Sequence, residues 1–238
     1  MSEEAATEYP AVASAQAFDA KWANQIEDLL RSTTRGELSS KVACLINLAI
    51  NASPTCRDEV QIRRHTRNAL AEGATPAEVL AVLKLSTVIP IHSFAVAAPI
   101  LHRSMAAASA RADLDEAAAP YIRALRQRGD FNVAWEHIYE WEPQWLDHML
   151  AVGMAPWDDG VLDAATLELL CIAFDVAVTH MYSPGTERHI KKALQFGVTQ
   201  EQILEVIKIA STQGLQSVQS SLQILQEEVA ACTPARPR

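Results

Sequence analysis

The sequence of 238 residues lacks the features that mark several large classes of protein. It has only four cysteines, at positions 44, 56, 171 and 232, and none of them forms a CxxC pair. This number and spacing indicate no disulfide framework. Unpaired thiols are typical of a reducing compartment, so we expect a cytoplasmic location.

Positive charge is also scarce. Lysine and arginine total 20 against 29 aspartates and glutamates, which gives a formal net charge of −9, and no basic run is present. Phosphate binding needs clustered cations, so we expect neither nucleic-acid binding nor attachment to an anionic membrane surface. The acidic first residues are unlike a secretory signal. The longest apolar run, Leu85–Leu101, is too interrupted by Pro90, His92 and Pro99 to span a membrane.

An internal repeat organises what is present. Ile62–Val88 and Thr186–Thr212 align without a gap at an offset of 124 residues, and the same offset gives 16 identities over 68 positions between Leu38–Met105 and Leu162–Val229. A shared Arg-His dipeptide in one ungapped frame indicates duplication rather than chance. We therefore predict a tandem duplication with an N-terminal copy at 1–113, which includes a flexible arm, and a C-terminal copy at 114–238.

The apolar spacing predicts helices throughout, and no segment alternates as a strand would. Thr75 and Thr199 begin capping-box patterns, and Gly73 and Gly197 are placed as helix C-caps. The predicted fold is all-α, with two similar helical units that pack together and oligomerise. Helices are predicted over Phe18–Leu30, Leu38–Ala52, Asp58–Glu72, Pro76–Val88, Ser93–Ala110, Leu162–His180, Thr186–Phe196 and Leu215–Ala230, with a loose arm at Met1–Ala15 and a link at Leu114–Pro120.

One order of residues resembles a known family: a histidine, Ala-Leu, Gly-(Ala/Val)-Thr and then an apolar helix. In the second copy it is carried by Thr166–Leu169, His189, Ala193-Leu194, Gly197–Thr199 and Gly214. This order resembles the carboxymuconolactone decarboxylase family, which shares its all-α fold with the alkyl hydroperoxidase D-like proteins. The resemblance covers Leu38–Leu101 and Leu162–Leu225. It implies a small-molecule substrate, no cofactor, and for a tandem chain a homotrimer with pseudo-hexameric packing.

The peroxidase branch of that fold works through a glutamate, a CxxC pair and a downstream histidine. The second copy matches the glutamate with Glu168 and the histidine with His189, but His180 and Ser183 stand at the cysteine positions. Two thiols within about 7 Å between Cα atoms are needed to form a disulfide. Dithiol peroxidase chemistry is therefore not expected in this copy.

The first copy departs from the same pattern differently. Cys44 replaces the glutamate, Cys56 takes the place of the first cysteine, Glu59 that of the second, and His65 is kept. Cys56 beside His65 is an alternative redox site that would use a single thiol, although an ordinary loop cysteine explains it as well. We therefore predict one working site per chain, in the second copy.

The candidate catalytic residues are Glu168, His180 and His189. A carboxylate in an apolar helix beside imidazoles is the arrangement that tunes acid–base pairs, so the three predict a proton-transfer cluster. Arg188 and Tyr182 are candidate substrate-binding residues, because a guanidinium binds carboxylates in bidentate fashion. The same cluster offers ligands for zinc or iron, but its spacing matches no short ligand motif, and no metal is predicted. A satisfied core histidine remains the alternative for His189.

These residues favour a cofactor-free lyase, a decarboxylase or related enzyme acting on a small carboxylated lactone or ring-derived metabolite. His189 or His180 would move the proton, and Glu168 would orient the imidazole. The alternatives are a single-thiol peroxidase at Cys56 and a non-catalytic scaffold or ligand-binding protein.

Overall fold

The computed structural model describes residues 10–34, 36–105 and 119–232, and within these ranges it is built of helices without a strand. The predicted all-α fold is confirmed. The first half contains α1 (Pro10–Gln16), α2 (Ala20–Thr33), α3 (Ser40–Ala52), α4 (Glu59–Ala71), α5 (Pro76–Leu85) and α6 (Ile91–Ser104); the second contains α7 (Pro120–Arg128), a 3-10 turn (Val133–Trp135), α8 (Glu136–Trp141), α9 (Pro143–Gly153), α10 (Ala155–Asp159), α11 (Ala164–Val176), α12 (Ser183–Gln195), α13 (Gln200–Ser211) and α14 (Gly214–Cys232).

The repeat is visible in the helix boundaries. Both ends of α3 and of α4 recur 124 residues later, as the ends of α11 and α12. Both predicted capping boxes form: Thr75 and Thr199 accept hydrogen bonds from the backbone three residues on, and the side chain at that position bonds back to the cap. The tandem assignment is therefore confirmed in three dimensions.

The loops before α4 and α12 repeat as well. Arg57 and Met181 are the two described non-glycine residues with positive φ, both at 53°, and they are 124 residues apart. The hydroxyls of Thr55 and Thr179, another equivalent pair, lie 3.0 Å apart. A residue can contact its own copy only near the axis that relates the copies. The two halves are thus related by a pseudo-twofold axis that passes between these threonines.

The halves interlock around a shared core. A single apolar cluster contains Leu45 and Leu85 of the first half together with Leu150 and Leu170 of the second. The last helix of each half crosses to the other half: α14 packs on α1, and α6 packs on the 3-10 turn and α8. This interlocking places a helix of one half against the histidine helix of the other.

The structure corrects several sequence predictions. Residues 10–16 form a helix whose Val12 and Ala15 are buried, rather than a loose arm. The helix predicted to end at His180 ends at Val176, because Ala177 adopts an extended conformation, and His180 lies in the following loop. Helix α6 ends at Ser104, whereas its predicted end at residue 110, the boundary at 113/114 and most of the predicted 114–120 link lie outside the described residues.

In the described ranges, no helix is both long enough and apolar enough to cross a membrane.

Candidate functional site

A cavity of about 150 Å³ lies where α11 and α12 of the second half meet the start of α6 from the first half. Helix α11 is buried along nearly its whole length because it is apolar on every face. Helix α12 is amphipathic and turns its inner face to α11. The side chains that line the cavity and bear chemistry are His92, Asp175, Tyr182, Arg188, His189 and Cys171.

Glu168 and His189 form a buried pair. Glu168 is 2% exposed and His189 5%, and His189 Nδ1 lies 2.6 Å from Glu168 Oε2. Burial lowers the pKa of His189, the hydrogen bond to Glu168 opposes this, and the charge of Arg188 lowers the pKa further. The imidazole is therefore neutral near pH 7, with Nδ1–H donating to the carboxylate and Nε2 left as an acceptor.

The Arg188 guanidinium donates a hydrogen bond to His189 Nε2. Its Nη2 lies 3.2 Å from His189 Nε2, and its guanidinium carbon stands 6.0 Å from the centre of the Trp135 ring. Its Nε is buried and has no hydrogen-bond partner among the described residues. An unpartnered guanidinium N–H at a cavity wall is suited to receive an anionic oxygen.

A second cluster joins the two halves. His92 Nδ1 of α6 lies 2.8 Å from His180 Nε2 in the loop after α11. Asp175 Oδ1, near the end of α11, lies 3.6 Å from His92 Nδ1 and 3.9 Å from His180 Nε2. Burial lowers the pKa of His92 to about 3, and the neighbouring His180, His189 and Arg188 add to the effect. Burial also lowers the pKa of His180.

The buried Asp175 carboxylate lacks a described hydrogen-bond partner. It is 1% exposed, and neither of its oxygens accepts a hydrogen bond from the described residues. Burial raises the pKa of Asp175 to about 7, although the nearby Arg188 acts in the opposite direction. Helix α12 approaches this carboxylate closely at Gly185, where a Cβ atom would overlap Asp175 Oδ2.

Aromatic side chains fix the cavity walls. The Tyr182 ring stacks on His92 with 3.8 Å between ring centres. Trp135, which is 3% exposed, closes the side that faces Arg188. Burial raises the pKa of Tyr182, so the phenol stays protonated and can donate a hydrogen bond into the cavity.

The first half has an equivalent but different cavity. It measures about 530 Å³, is lined by Arg64 and His65, and is closed by α14 of the second half. Cys44 lines it at the position equivalent to Glu168, so the part of the chain that the structure describes has no counterpart of the Glu168–His189 pair there. Burial lowers the pKa of His65 to about 4. Each cavity therefore combines the histidine helix of one half with the last helix of the other.

The structure places the predicted catalytic residues in two separate clusters. Glu168 and His189 are in contact, and Arg188 and Tyr182 line the same cavity, as the sequence suggested. His180 instead bonds to His92, and among the described contacts it has no hydrogen bond to Glu168 or His189. The catalytic and binding roles of these residues stay predictions.

Sequence reasoning missed three cavity residues, His92, Asp175 and Trp135. Asp175 had a signal, because it is an acid in the same apolar helix as Glu168. Trp135 stands among other aromatic residues at helical spacing, a pattern that is more typical of packing than of a functional site. No sequence pattern pointed to His92, because nothing in the sequence indicates that α6 crosses to the other half.

The chain is similar to known proteins over most of its length. The model of the carboxymuconolactone decarboxylase family matches residues 16–91 and 143–227. A solved structure from Burkholderia xenovorans LB400, provisionally assigned as a gamma-carboxymuconolactone decarboxylase subunit, is 26% identical with a TM-score of 0.83, covering 94% of this chain and 92% of that one. No curated protein matches the chain significantly.

Proposed function

The chain belongs to the carboxymuconolactone decarboxylase family, and from this premise we propose that it is a decarboxylase-like lyase acting on a small carboxylated lactone or ring-derived metabolite. The observation that carries the proposal is the buried Glu168–His189 pair beside an arginine with a free N–H. The cavity size supports a small ring, because a cavity of about 150 Å³ holds one benzene-sized molecule.

The contact between Arg188 and His189 suggests how substrate binding prepares the site. In the structure, Arg188 donates a hydrogen bond to His189 Nε2. A substrate carboxylate is a stronger acceptor for the guanidinium than a neutral imidazole is. When the substrate carboxylate binds Arg188, the guanidinium leaves His189 Nε2, which can then bind a proton. The added negative charge favours the imidazolium form of His189.

The proposed chemistry follows from these positions. The bond between the substrate carbon and its carboxylate breaks, CO₂ leaves, and the electron pair moves into the conjugated ring. His189, as imidazolium, donates a proton from Nε2 to a ring carbon and regains a proton from water. Glu168 holds the ring by Nδ1 and stabilises its charged form. General acid catalysis of this kind contributes about 10²–10⁴-fold.

The first test uses the duplication as its own control. Purified protein is mixed with 4-carboxymuconolactone, and release of CO₂ and loss of substrate are followed for wild type, His189→Ala and His65→Ala. We expect His189→Ala to lower kcat by at least about 10²-fold and His65→Ala to leave it within about threefold, because of these two histidines His189 alone has a described hydrogen bond to a carboxylate. Glu168→Gln serves as a second variant in case His189→Ala is unstable.

Loss of turnover in His65→Ala but not in His189→Ala would move the site to the first half. Absence of turnover in wild type would reject this substrate, and a panel of small carboxylated lactones would then decide whether the reaction class is wrong.

No contact among the described residues favours the single-thiol peroxidase. Cys56 Sγ donates to Asn51 Oδ1 at 3.9 Å and makes no described hydrogen bond to His65. Burial raises the pKa of Cys44 and of Cys171, which disfavours their thiolates.

A further inference from the structure

We propose that His92, Asp175 and His180 form a binding site for one divalent transition-metal ion, of the zinc and iron(II) class, in the wall of the second-half cavity. The site lies beside the Glu168–His189 pair but shares no residue with it. It goes beyond the proposed reaction, because its test measures metal binding and needs no turnover.

The distances fit a metal centre. The three candidate ligand atoms are His92 Nδ1, His180 Nε2 and Asp175 Oδ1, and they are separated by 2.8, 3.6 and 3.9 Å. The circle through three atoms at these separations has a radius of about 2.0 Å. Bonds from zinc to imidazole nitrogen and carboxylate oxygen are about 2.0–2.2 Å long. An ion at the centre, or slightly out of the plane, would thus reach all three atoms without movement of the chain.

The carboxylate of Asp175 is a second, independent observation in favour of a metal ion at this position. A buried carboxylate without a hydrogen bond is costly, and proteins resolve that cost with a proton, a cation or a metal. The charge of Arg188 acts on Asp175 and lowers its pKa, yet Arg188 forms no described ion pair with Asp175, and its own Nε has no described hydrogen-bond partner. Both Asp175 oxygens therefore remain available in a cluster that already contains two imidazoles.

The ligand chemistry is specific. Two histidines and one carboxylate are the protein ligands of several zinc hydrolases and of non-haem iron(II) oxygenases, in which the remaining positions stay open. His92 and Asp175 both line the cavity, so the open positions of a bound ion would face it. The stacked Tyr182 ring holds the His92 imidazole in orientation.

The first half shows that the fold does not need these ligands. Asn51 stands at the position equivalent to Asp175, Cys56 at that of His180, and Gln216 at that of His92. There the Asn51 side chain is satisfied by bonds to the Asn47 carbonyl and to Cys56. Among the described residues the ionisable trio is therefore found only at the second-half cavity, and the equivalent positions around the first-half cavity supply substitutions that the packing there accepts.

The experiment uses the full-length protein, stripped with a chelator and then titrated with Co²⁺, while visible d–d absorption and calorimetry are recorded. We expect one Co²⁺ per chain, with band intensities of a four- or five-coordinate ion, and displacement by Zn²⁺. His92→Gln and Asp175→Asn insert the residues that stand at the equivalent positions around the first-half cavity, and each should weaken binding by at least about 100-fold, since the loss of an outer partner alone costs about 10–100-fold.

His65→Gln is the matched control, because it alters a half-buried histidine at the other cavity and should bind Co²⁺ as wild type does. Circular dichroism of each variant establishes that it is folded. Absence of stoichiometric binding to wild type would overturn the site, as would binding that survives both His92→Gln and Asp175→Asn. A decarboxylase without metal binding would refute this site alone, and metal binding without turnover would leave it standing.

Discussion

Two differences between the copies account for most of the chemistry in the second-half cavity. Glu168 stands where the first half has Cys44, and Asp175 stands where it has Asn51. Each places a carboxylate in a buried apolar helix, where an unpartnered charge costs several kcal/mol. His189 compensates Glu168, whereas Asp175 has no described hydrogen-bond partner. A buried acid adds little to stability, and the two proposals above give each a role: Glu168 would orient His189, and Asp175 would bind a metal ion.

The contact between Arg188 and His189 predicts a specific pH dependence. Without substrate, burial and the charge of Arg188 lower the pKa of His189 below its ordinary value. A substrate carboxylate that binds Arg188 should raise the pKa of His189. Proton donation by His189 is lost as the pH rises above this pKa. Since kcat/KM reports the free enzyme and kcat the complex, kcat/KM should decline at lower pH than kcat does.

Both parameters should be measured from about pH 5 to about pH 9. In Arg188→Gln the pH at which kcat/KM declines should lie closer to the pH at which kcat declines, and KM should rise. A kcat/KM that instead increases with pH to a plateau would show that His189 acts as a neutral base.

At the level of the helices, the start of α12 is shaped by its approach to α11. Gly185 is the third residue of α12, and a Cβ there would overlap both the Asp175 carboxylate and the Tyr182 ring. Glycine in a helix is ordinarily about 1 kcal/mol worse than alanine. The glycine is therefore explained by the close contact and not by the conformation of the backbone.

Gly185→Ala should consequently destabilise the protein, by about 1–3 kcal/mol, because the overlap exceeds the gain in helix propensity. Gly214→Ala is the control, since a Cβ at this helical glycine meets nothing within 4 Å. It should be neutral or slightly stabilising. Urea unfolding followed by circular dichroism measures both, and equal stability of the two variants would contradict the close approach.

Across the whole molecule, the interlocking of the halves predicts that they unfold as one cooperative unit. Helix α14 of the second half packs the partly buried Leu215 and Leu222 against the small core that α1 and α2 form with Val12, Ala15, Ala23 and Ile26. The main core draws on both halves. A half cut from its partner would expose these faces to water. The homotrimer expected from the family resemblance concerns a further level of packing and stays a prediction.

The interlocking predicts that residues 1–113 and 114–238, produced separately, will each lack a cooperative unfolding transition. Mixed or co-expressed, they should recover one, because each supplies the helix that closes the cavity of the other. Far-ultraviolet circular dichroism and thermal melts test this. A separate half that melts cooperatively would show that the copies are independent domains.

Much of this protein was determined by the sequence alone. The offset of 124 residues, the apolar periods and the capping boxes specify the helices locally, and α3 and α4 recur as α11 and α12 at that offset. The Glu168–His189 pair was also within reach, because its two helices are neighbours in the chain and a short loop must pack them together. Such features depend on interactions between residues close in sequence.

Only the tertiary structure decided what meets this pair. His92 lies 88 residues from His180, and the period of α6 shows which face is buried without showing which half covers it. Packing within one copy or across to the other buries the same apolar side chains, so the pattern is the same for both. The crossing of α6, set by the pseudo-twofold packing of the whole chain, brought His92 to Asp175 and created the second cluster.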